Sequence, residues 1–517
     1  MSPQALRQQA LPSQQPTVIS SPRAYLRDAR GRFAPRPKIV RIPRREVLFV
    51  ISEMSDFVKA GGLGDVAAAL PRAMRDYCDM RVLIPGYSCV LAQAKAIEVV
   101  GTVAAHAGLP ECQLGMLELA DGLPVYVLLC PALFERPGSP YVSALGSDWE
   151  DNAVRFATLS HAASEIAHGR AGLTWQPQLL HLNDWPTALA AGYLRWSGSG
   201  VPSVLTIHNL AYQGLFPVSQ AAALGIPETA RRDVEFFGKL SFLRTGIAYA
   251  DHITTVSASY AAEITTTTHG CGLEPLLSRH AYAGRLSGIV NGIDESWDPA
   301  TDPHLPAPFT LDRLQGKRAN ARSVRREFGL PDATGPLFAV VSRLVHQKGV
   351  DMICEIAPQI AAAGGQIVSI GCGETALERS LTALSRTYPG HISAYIGFEE
   401  ALARRMFAGS DFLLMPSRFE PCGLSQMYAQ RFGSLPIARA TGGLIDTIDD
   451  GVTGFLFHQA STESLRRCVQ RAFQVYRMPQ LFNAMRRAAM LKPAGWQNAA
   501  RQYHALYERA VATAAVA

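Results

Sequence analysis

Short apolar runs, most of them ending in a glycine or a polar turn, alternate with longer helix-like stretches along most of this chain. Val66–Tyr77, Asn152–His168 and Met352–Ala362 are helix-like stretches of this kind. Buried strands that alternate with helices imply parallel sheets covered on both faces. The sequence therefore predicts a doubly wound α/β architecture. The apolar runs are Val47–Ile51, Leu179–Leu182, Val204–Ile207, His252–Val256, Leu286–Val290, Leu337–Val341, Ile367–Ile370, Ala394–Ile396, Phe412–Met415 and Leu435–Ala438.

The length of the chain predicts more than one domain. It has 517 residues, whereas a single hydrophobic core stops growing near about 250–300 residues. The pattern is weakest after residue 294, where Asp298-Pro299 precedes a charged helix predicted at Asp312–Phe328. We therefore expect two large domains, 46–292 and 293–495, with their junction near Asn291–Pro299.

The basic character of the chain is confined to its N-terminus. Residues 1–45 contain ten Lys or Arg and one acid, whereas the remainder carries 39 basic and 42 acidic residues. The formal net charge of +6 therefore describes a tail, and we expect no nucleic-acid surface. We interpret this tail as a disordered extension, although its Arg, Gln, Pro and Ser content also fits an organelle transit peptide.

Cysteine usage and hydropathy indicate a cytoplasmic protein. The nine cysteines are scattered, with no C-x-x-C or metal-ligand spacing, which is typical of reduced thiols in a cytosol. No apolar run approaches the ~20 residues of a membrane helix, and the N-terminus lacks the apolar segment of a secretion signal. The sequence predicts no membrane partner, and nothing in it indicates the oligomeric state.

Polar motifs follow three apolar runs of the first half. A glycine-rich loop, Lys59–Asp65, comes after Val47–Ile51, and glycines before a helix let backbone N–H groups approach an anion. Asp184 and His208 follow the next two strands, and each alone has an ordinary structural explanation, as a helix N-cap or a structural histidine. Because ligands bind beyond the carboxyl ends of such strands, three motifs at one edge predict a site.

The second half carries cations and a carboxylate in the same position relative to its strands. Arg343 and Lys348 follow Leu337–Val341, and a pair of cations there could hold a diphosphate whose charge rises as it leaves. Glu420 precedes a proline and a glycine at a predicted helix start, so its carboxylate could bond sugar hydroxyls. Thr441-Gly442-Gly443-Leu444 predicts a backbone nest for an anion.

In order, these motifs form one pattern, which closely resembles the bacterial glycogen synthase and plant starch synthase family from roughly residue 46 to residue 510. Other retaining transferases of this architecture often carry a second glutamate seven residues after Glu420, where this chain has Met427. The motifs are Lys59-Ala-Gly-Gly-Leu, Asn183-Asp-Trp, Thr206-Ile-His-Asn-Leu-Ala-Tyr-Gln-Gly, Asn291-Gly-Ile-Asp, Ser342-Arg-Leu with Gln347-Lys-Gly, and Ser417-Arg-Phe-Glu-Pro-Cys-Gly-Leu.

The resemblance implies a GT-B fold, in which two Rossmann-like domains face each other across a cleft. It implies that a last helix at about Trp496–Ala510, within a segment 496–517, crosses back to the first domain. The implied activity is retaining transfer of glucose from ADP-glucose to the non-reducing end of an α-1,4-glucan such as glycogen. UDP-glucose is the less favoured donor, and the resemblance implies no metal and no other cofactor.

Carried over position by position, the resemblance also implies a set of site residues. Arg343 and Lys348 would neutralise the diphosphate, Glu420 would orient the glucose, and the nucleobase would lie against Phe398. The implied catalytic residues are Lys59, Asp184, His208, Arg343, Lys348 and Glu420. The implied substrate-binding residues are Gly61, Gly62, Asp65, Asn291, Phe398, Cys422, Gly423, Leu424 and Ser425.

Four positions depart from the family pattern, and none removes a charged catalytic group. Relatives usually have Thr at Ala60, His at Pro186, Thr at Ser425 and often Tyr at Phe398. Ser425 keeps the hydroxyl and Phe398 keeps the ring face. Ala60 loses a hydroxyl beside the donor, although the glycines of its loop are intact.

Three alternatives stay open at this point. A glucan phosphorylase shares the fold, but no matching lysine motif for pyridoxal phosphate is visible. A sucrose-type or trehalose-type synthase would be expected to carry the two-glutamate pattern. A glucan-binding scaffold without activity is disfavoured because all six charged or polar catalytic residues are present.

Overall fold

The computed structural model describes residues 44–514 except 94–95 and 144–145. Most of the predicted N-terminal extension therefore lies outside the described residues, and the first strand begins at Arg45. Each of the ten predicted apolar runs overlaps a strand. No helix in the described part of the chain combines the length and apolar character that crossing a membrane requires.

Nine strands of the first half form one sheet, in the order β12-β11-β7-β6-β1-β2-β5-β4-β3. The remaining three form a small sheet, β8-β10-β9. The strands are β1 (Arg45–Val50), β2 (Cys78–Pro85), β3 (Glu98–Val103), β4 (Cys112–Glu118), β5 (Pro124–Leu129), β6 (Leu179–Asn183), β7 (Ser203–Ile207), β8 (Leu215–Pro217), β9 (Glu235–Phe236), β10 (Lys239–Ser241), β11 (His252–Thr255) and β12 (Leu286–Gly288).

The prediction of parallel sheets is wrong at one edge of this first sheet. From β12 to β5 the neighbouring strands run parallel, but β4 pairs antiparallel with both β3 and β5. A tight turn, with Gly122 at φ 80°, joins β4 to β5 and reverses the chain without a helix. β3 is largely exposed, so it lacks the continuous apolar run by which the buried strands were recognised.

The helices of the first half cover the parallel part of this sheet. α1 begins at Gly62, four residues before the predicted helix-like stretch Val66–Tyr77. The helices are α1 (Gly62–Ala73), α2 (Ser88–Gln93), α3 (Pro131–Phe134), α4 (Asn152–Ala167), α5 (Trp185–Trp196), α6 (Arg231–Val234), α7 (Phe242–Tyr249), α8 (Ala258–Glu263) and α9 (Glu274–Tyr282).

The second half contains a six-stranded sheet in the order β15-β14-β13-β16-β17-β18, parallel throughout. Its strands are β13 (Leu337–Val341), β14 (Gln366–Gly371), β15 (Ile392–Ile396), β16 (Phe412–Met415), β17 (Leu435–Arg439) and β18 (Phe455–Phe457). Its helices are α10 (Gln315–Glu327), α11 (Val350–Ala362), α12 (Thr375–Thr387), α13 (Glu400–Gly409), α14 (Ser425–Arg431), α15 (Gly443–Thr447), α16 (Thr462–Tyr476) and α17 (Pro479–Leu491).

The last helix, α18 (Gln497–Ala514), packs into the core of the first sheet rather than the second. Tyr503 and Tyr507 are fully buried there, and the Tyr507 hydroxyl lies 2.6 Å from Nδ1 of His181 on β6. On the surface, Glu508 forms an ion pair with Arg45 of β1 at 3.0 Å. The chain thus returns to the domain in which it began, while the predicted domain boundaries stay predictions.

Candidate active site

The glycine loop Lys59–Asp65 follows β1 and continues into the first turn of α1, and a buried carboxylate holds its shape. Oε2 of Glu53 accepts hydrogen bonds from the backbone N–H groups of Ala60, at 2.6 Å, and Gly61, at 3.0 Å. Lys59 forms an ion pair with Asp65 at 2.8 Å across the same loop. The amide of Gly61, which the sequence assigns to donor phosphates, is therefore already engaged within the loop.

Glu53 was not among the predicted site residues. Its other carboxylate oxygen accepts a hydrogen bond from the Tyr141 hydroxyl at 3.0 Å, and that hydroxyl also lies 2.8 Å from Oγ of Ser52. Burial raises the pKa of Glu53, against the lowering effect of the amides of Ala60 and Gly61. An acidic residue directly after a buried strand and before a glycine loop was the signal available in the sequence.

Asp184 lies at the end of β6 in a strained backbone conformation. Its φ of 55° and ψ of −174° fall in a region that is essentially restricted to glycine, and such strain is concentrated at functional sites. Oδ1 accepts hydrogen bonds from the backbone N–H groups of His208, at 2.7 Å, and Asn209, at 3.4 Å. Burial raises the pKa of Asp184 to about 7, so neutral pH lies close to its titration.

His208 follows β7 and is oriented by the side chain of Asn183. The Asn183 amide nitrogen donates to the carbonyl of Val50 at 3.0 Å, which turns its oxygen towards Nε2 of His208, also at 3.0 Å. Nε2 of His208 therefore carries the proton, because an amide oxygen only accepts. Burial lowers the pKa of His208 to about 3, so the ring is neutral and its Nδ1 is an acceptor.

Lys348 and Glu420 meet in the second domain. Nζ of Lys348 lies 2.5 Å from Oε2 of Glu420, which also accepts a hydrogen bond from the Ser417 hydroxyl at 2.9 Å. Gly349 makes this approach possible, since a Cβ there would lie 2.2 Å from the carbonyl oxygen of Pro416. The strand-to-helix turns after β13 and β16 are thus brought together, as their positions in the sequence predict.

Arg343 is more loosely held than Lys348. Its side chain is exposed, and Nη1 donates to the Tyr212 hydroxyl at 3.3 Å. Tyr212 belongs to the motif that follows β7 in the first domain. Lys348 is therefore held in an ion pair within the second domain, whereas Arg343 contacts the first domain.

The acidic loop after Glu420 faces the glycine loop. A Cβ built on Gly62 would lie 3.8 Å from Cδ1 of Leu424, so the two loops approach each other closely.

The other predicted substrate-binding residues lie around this loop. Asn291 and Cys422 are both buried, and the Asn291 backbone N–H reaches the Cys422 thiol. Oδ1 of Asn291 is buried without a partner among the described residues. Gly423 has φ 71°, and Ser425 begins α14.

The predicted anion nest at Thr441–Leu444 is occupied by a carboxylate of the chain itself. Oε1 of Glu263, from α8 of the first domain, accepts hydrogen bonds from the Gly442 backbone N–H at 2.8 Å and the Thr441 hydroxyl at 3.0 Å. The Gly443 N–H donates to the carbonyl of Glu420 at 3.0 Å. The turn thus binds an anion, as the sequence predicts, and in this structure that anion is the carboxylate of Glu263.

α8 and the turn at the start of α15 are joined by a second contact, in which the roles of the two helices are reversed. Asp446 of α15 accepts hydrogen bonds from the backbone N–H and the hydroxyl of Ser259, at 2.9 and 2.6 Å. Each short helix therefore supplies a carboxylate to the N-terminal turn of the other, which satisfies N–H groups that a helix leaves free. These contacts join the two domains at the inner end of the cleft, next to the loop that carries Glu420.

Phe398 lies beyond β15, and 62% of its surface is exposed. The preceding Gly397 donates its N–H to the carbonyl of Gly371 at 2.9 Å, which fixes the backbone at the ends of β14 and β15. A ring held on an ordered turn and open to solvent is available for stacking. Its contact with a nucleobase stays a prediction.

Two family models match this chain. A model described as the starch synthase catalytic domain matches residues 46–279, and one described as glycosyl transferases group 1 matches residues 322–488. The glycogen synthase of Xanthomonas campestris pv. campestris is 67% identical over 467 residues, covering 90% of this chain and 98% of the relative. The glycogen synthase of Pseudomonas fluorescens is 56% identical over 473 residues, covering 91% of each.

Two solved structures share the fold of this chain. The catalytic domain of starch synthase IV from Arabidopsis thaliana, solved with ADP and acarbose, has a TM-score of 0.79 at 31% identity and covers 91% of this chain and 100% of that one. Sucrose-phosphate synthase from Thermosynechococcus elongatus, at 17% identity, covers 91% of this chain and 100% of that one with a TM-score of 0.57. The second likeness concerns the fold alone.

Proposed function

Because this chain belongs to the bacterial glycogen synthase and plant starch synthase family and has its GT-B fold, we propose that it transfers glucose from ADP-glucose to an α-1,4-glucan. The bond would form at the non-reducing end of the glucan with retention of configuration, and ADP would be released. The chain is a glycosyltransferase. The proposed reaction requires both a nucleotide-sugar site and a glucan site. We place the reaction in the cytoplasm.

The observation that carries the proposal is the pair of Lys348 and Glu420 opposite the glycine loop. Lys348 contributes a positive charge at the carboxyl ends of β13 and β16, where a diphosphate can lie against backbone N–H groups. Glu420 is only 5% exposed and has one carboxylate oxygen bonded to Lys348 and Ser417. Its second oxygen is the natural acceptor for sugar hydroxyls.

The remaining site residues divide between the sugar and the diphosphate. Arg343 and Lys348 would stabilise the leaving diphosphate as its charge rises, and this is the largest contribution that we assign to the protein. Asp184, with Nδ1 of neutral His208, would lie on the glucose side. Lys59 would add a positive charge beside the phosphates after exchanging its ion pair with Asp65.

Retention is best explained by attack on the same face from which ADP leaves. The anomeric C–O bond to the diphosphate breaks, the acceptor hydroxyl oxygen bonds to that carbon, and its proton passes to the departing phosphate oxygen. A double displacement would instead need a carboxylate nucleophile, for which Glu420 is the candidate. Because Oε2 of Glu420 is bonded to Lys348 and Ser417, we favour an orienting role for Glu420.

The proposed function is tested by incubating the purified protein with ADP-glucose, with and without glycogen. We expect ADP release and glucan growth that depend on glycogen, and a lower rate with UDP-glucose. Release of glucose 1-phosphate from glycogen and phosphate would indicate a phosphorylase, and transfer to a small sugar would indicate a sucrose-type enzyme. Glycogen binding without nucleotide release from either donor would contradict the proposal and favour a scaffold.

A further inference from the structure

A cavity of about 150 Å³ lies in the first domain, and its lining contains none of the proposed site residues. Aromatic rings and hydroxyls form its walls, including Tyr87, Phe134, Ser139 and Trp149. Among the described lining residues, every charged side chain is an arginine, Arg136 or Arg155, and there is no carboxylate or side-chain amide. The proposed function assigns no role to this cavity.

Arg155 is a buried cation that forms no direct ion pair in the described part of the chain. It is 1% exposed, and its hydrogen bonds go to uncharged acceptors: the carbonyls of Leu133 at 2.8 Å and Pro140 at 2.9 Å, and Oδ1 of Asn152 at 2.7 Å. No described carboxylate lies within salt-bridge distance of it, and no described residue accepts a hydrogen bond from its Nη2. Burial lowers the pKa of Arg155, while Tyr87 and the Asp151 carboxylate raise it and Arg136 lowers it further. The charge of Arg155 is therefore only partly balanced.

Two hydroxyls on the cavity wall have protons to donate. The Tyr87 hydroxyl is buried and has no partner among the described residues, and burial raises the pKa of Tyr87, so it stays a donor. Oγ of Ser139 accepts from the backbone N–H groups of Tyr141 and Val142, at 3.2 and 3.1 Å. Its own O–H has no acceptor among the described residues. Ser139 is half-buried, whereas the Tyr87 hydroxyl is an unpaired buried donor, which is rare in folded proteins and calls for an explanation.

Trp149 lies between the two arginines. The guanidinium carbon of Arg136 is 5.3 Å from the ring centroid and that of Arg155 is 5.5 Å from it. Arg136 is ion-paired with Asp151 at 2.7 Å, so it adds positive potential but is not free. A ligand that reaches Arg155 would therefore change the environment of this indole ring.

We propose that this cavity binds a small oxyanion, with the chemistry of a phosphate ion or of the phosphoryl group of a phosphate monoester. Arg155, Tyr87 and Ser139 together offer donors with no described acceptor, and an anion would supply the acceptors and the missing negative charge. A neutral sugar fits less well, because its hydroxyls also need acceptors and the lining offers no carboxylate or amide. The cavity adjoins the glycine loop through Val58 but shares no lining residue with the proposed donor site, so this proposal does not depend on the proposed transfer reaction.

The test measures the binding of inorganic phosphate by calorimetry and tryptophan fluorescence, with saturating ADP present to fill the donor site. We expect binding with a dissociation constant below about 1 mM and a fluorescence change that disappears in the Trp149→Phe variant. Glucose 6-phosphate in a parallel titration separates the two sources: tighter binding than phosphate indicates a monoester, and weaker binding indicates the free ion. Absence of binding by both anions would overturn the proposal.

Two matched variants localise the site. Tyr87→Phe removes only a hydroxyl that has no described partner, so the fold should be kept, and we expect about tenfold weaker phosphate binding with unchanged glucose transfer. Arg343→Ala alters the donor site and should leave phosphate binding unchanged. Equal affinity in wild type and Tyr87→Phe, or loss of binding in Arg343→Ala, would show that phosphate binds elsewhere and would overturn the proposal.

Discussion

In the first domain, the side chains proposed to surround glucose are fixed by buried hydrogen bonds within that domain. Glu53 holds two amides of the glycine loop, and Asp184 holds the backbone of His208. In the second domain, the groups proposed to meet the diphosphate are charges, with Lys348 paired to Glu420 and Arg343 exposed. The first-domain half of the site is therefore pre-organised by hydrogen bonds, whereas the second-domain half acts through charge.

This difference predicts different kinetic consequences for the two halves. Removing a charge that stabilises the leaving diphosphate should lower kcat, because that charge matters most in the transition state. Loosening a hydrogen bond that positions the glycine loop should act mainly on KM, because it alters ground-state and transition-state binding alike.

Asp184→Asn should lower the activity and raise the stability of the protein at high pH. We expect kcat to fall by about 100-fold or more, since a carboxylate beside the glucose would stabilise positive charge at the reacting carbon. Because the pKa of Asp184 is raised to about 7 in the folded protein, its ionisation costs folding free energy, and stability is lost as pH rises from about 4 to about 7. Asn cannot ionise, so the melting temperature of the variant should exceed that of the wild type at pH 8 more than at pH 5.

The same carboxyl predicts a pH dependence. Wild-type kcat/KM should rise through about pH 7 as Asp184 becomes ionised, and this step should be absent from the residual activity of Asp184→Asn. His208, with a pKa of about 3, should contribute no step above pH 5. A pH profile that is identical in both proteins would contradict the assignment.

Asn183 and His208 should behave as one unit. Asn183→Ala and His208→Ala are each expected to lower kcat/KM by about tenfold, because Asn183 acts by fixing the ring of His208 through the 3.0 Å hydrogen bond. The double variant should be no worse than the poorer single one. Independent, multiplying losses in this double-mutant cycle would show that Asn183 has a different role.

Glu53→Gln should raise the KM for ADP-glucose by about fivefold while kcat changes less than about threefold. The glutamine oxygen can still face the Ala60 and Gly61 N–H groups, but a neutral amide accepts hydrogen bonds more weakly than a carboxylate. The glutamine NH₂ group would also replace the oxygen that accepts from the Tyr141 hydroxyl. Tyr141→Phe, which removes only the hydroxyl bonded to Glu53, is the control and should have a smaller effect. A loss confined to kcat would place Glu53 in the chemical step instead.

Phe398→Tyr is expected to have the smallest effect. It adds a hydroxyl to a ring that is already exposed, so the KM for ADP-glucose should change by less than about threefold with kcat unaltered. Phe398→Ala, which removes the ring face, should raise KM further. If both variants behave like the wild type, the nucleobase does not lie against this residue.

The sequence predicted ten of the parallel strands because most of them are buried and therefore continuously apolar. It missed β2, in which Asp79 and Arg81 interrupt the apolar run, and β3 and β4, whose exposed residues break the pattern. It also missed β5, β18 and the three strands of the small sheet. It predicted the loops of the proposed site because they follow strand ends, but it did not predict Glu53. The position of Glu53 between a buried strand and a glycine loop does not by itself show that its carboxylate bonds to the amides of Ala60 and Gly61. The hydrogen bonds of Glu263 to Thr441 and Gly442 join two domains. No local sequence pattern predicts such a long-range contact.

The most direct test of this account compares Lys348→Ala with Lys492→Ala in the transfer of glucose from ADP-glucose to glycogen. Both lysines form second-domain ion pairs, Lys348 with Glu420 at 2.5 Å and Lys492 with Asp449 at 2.6 Å, but only Lys348 lies in the proposed site. We expect kcat to fall by about 100-fold or more in Lys348→Ala and to stay at the wild-type value in Lys492→Ala. Equal turnover in the two folded variants would contradict the claim that Lys348 stabilises the leaving diphosphate.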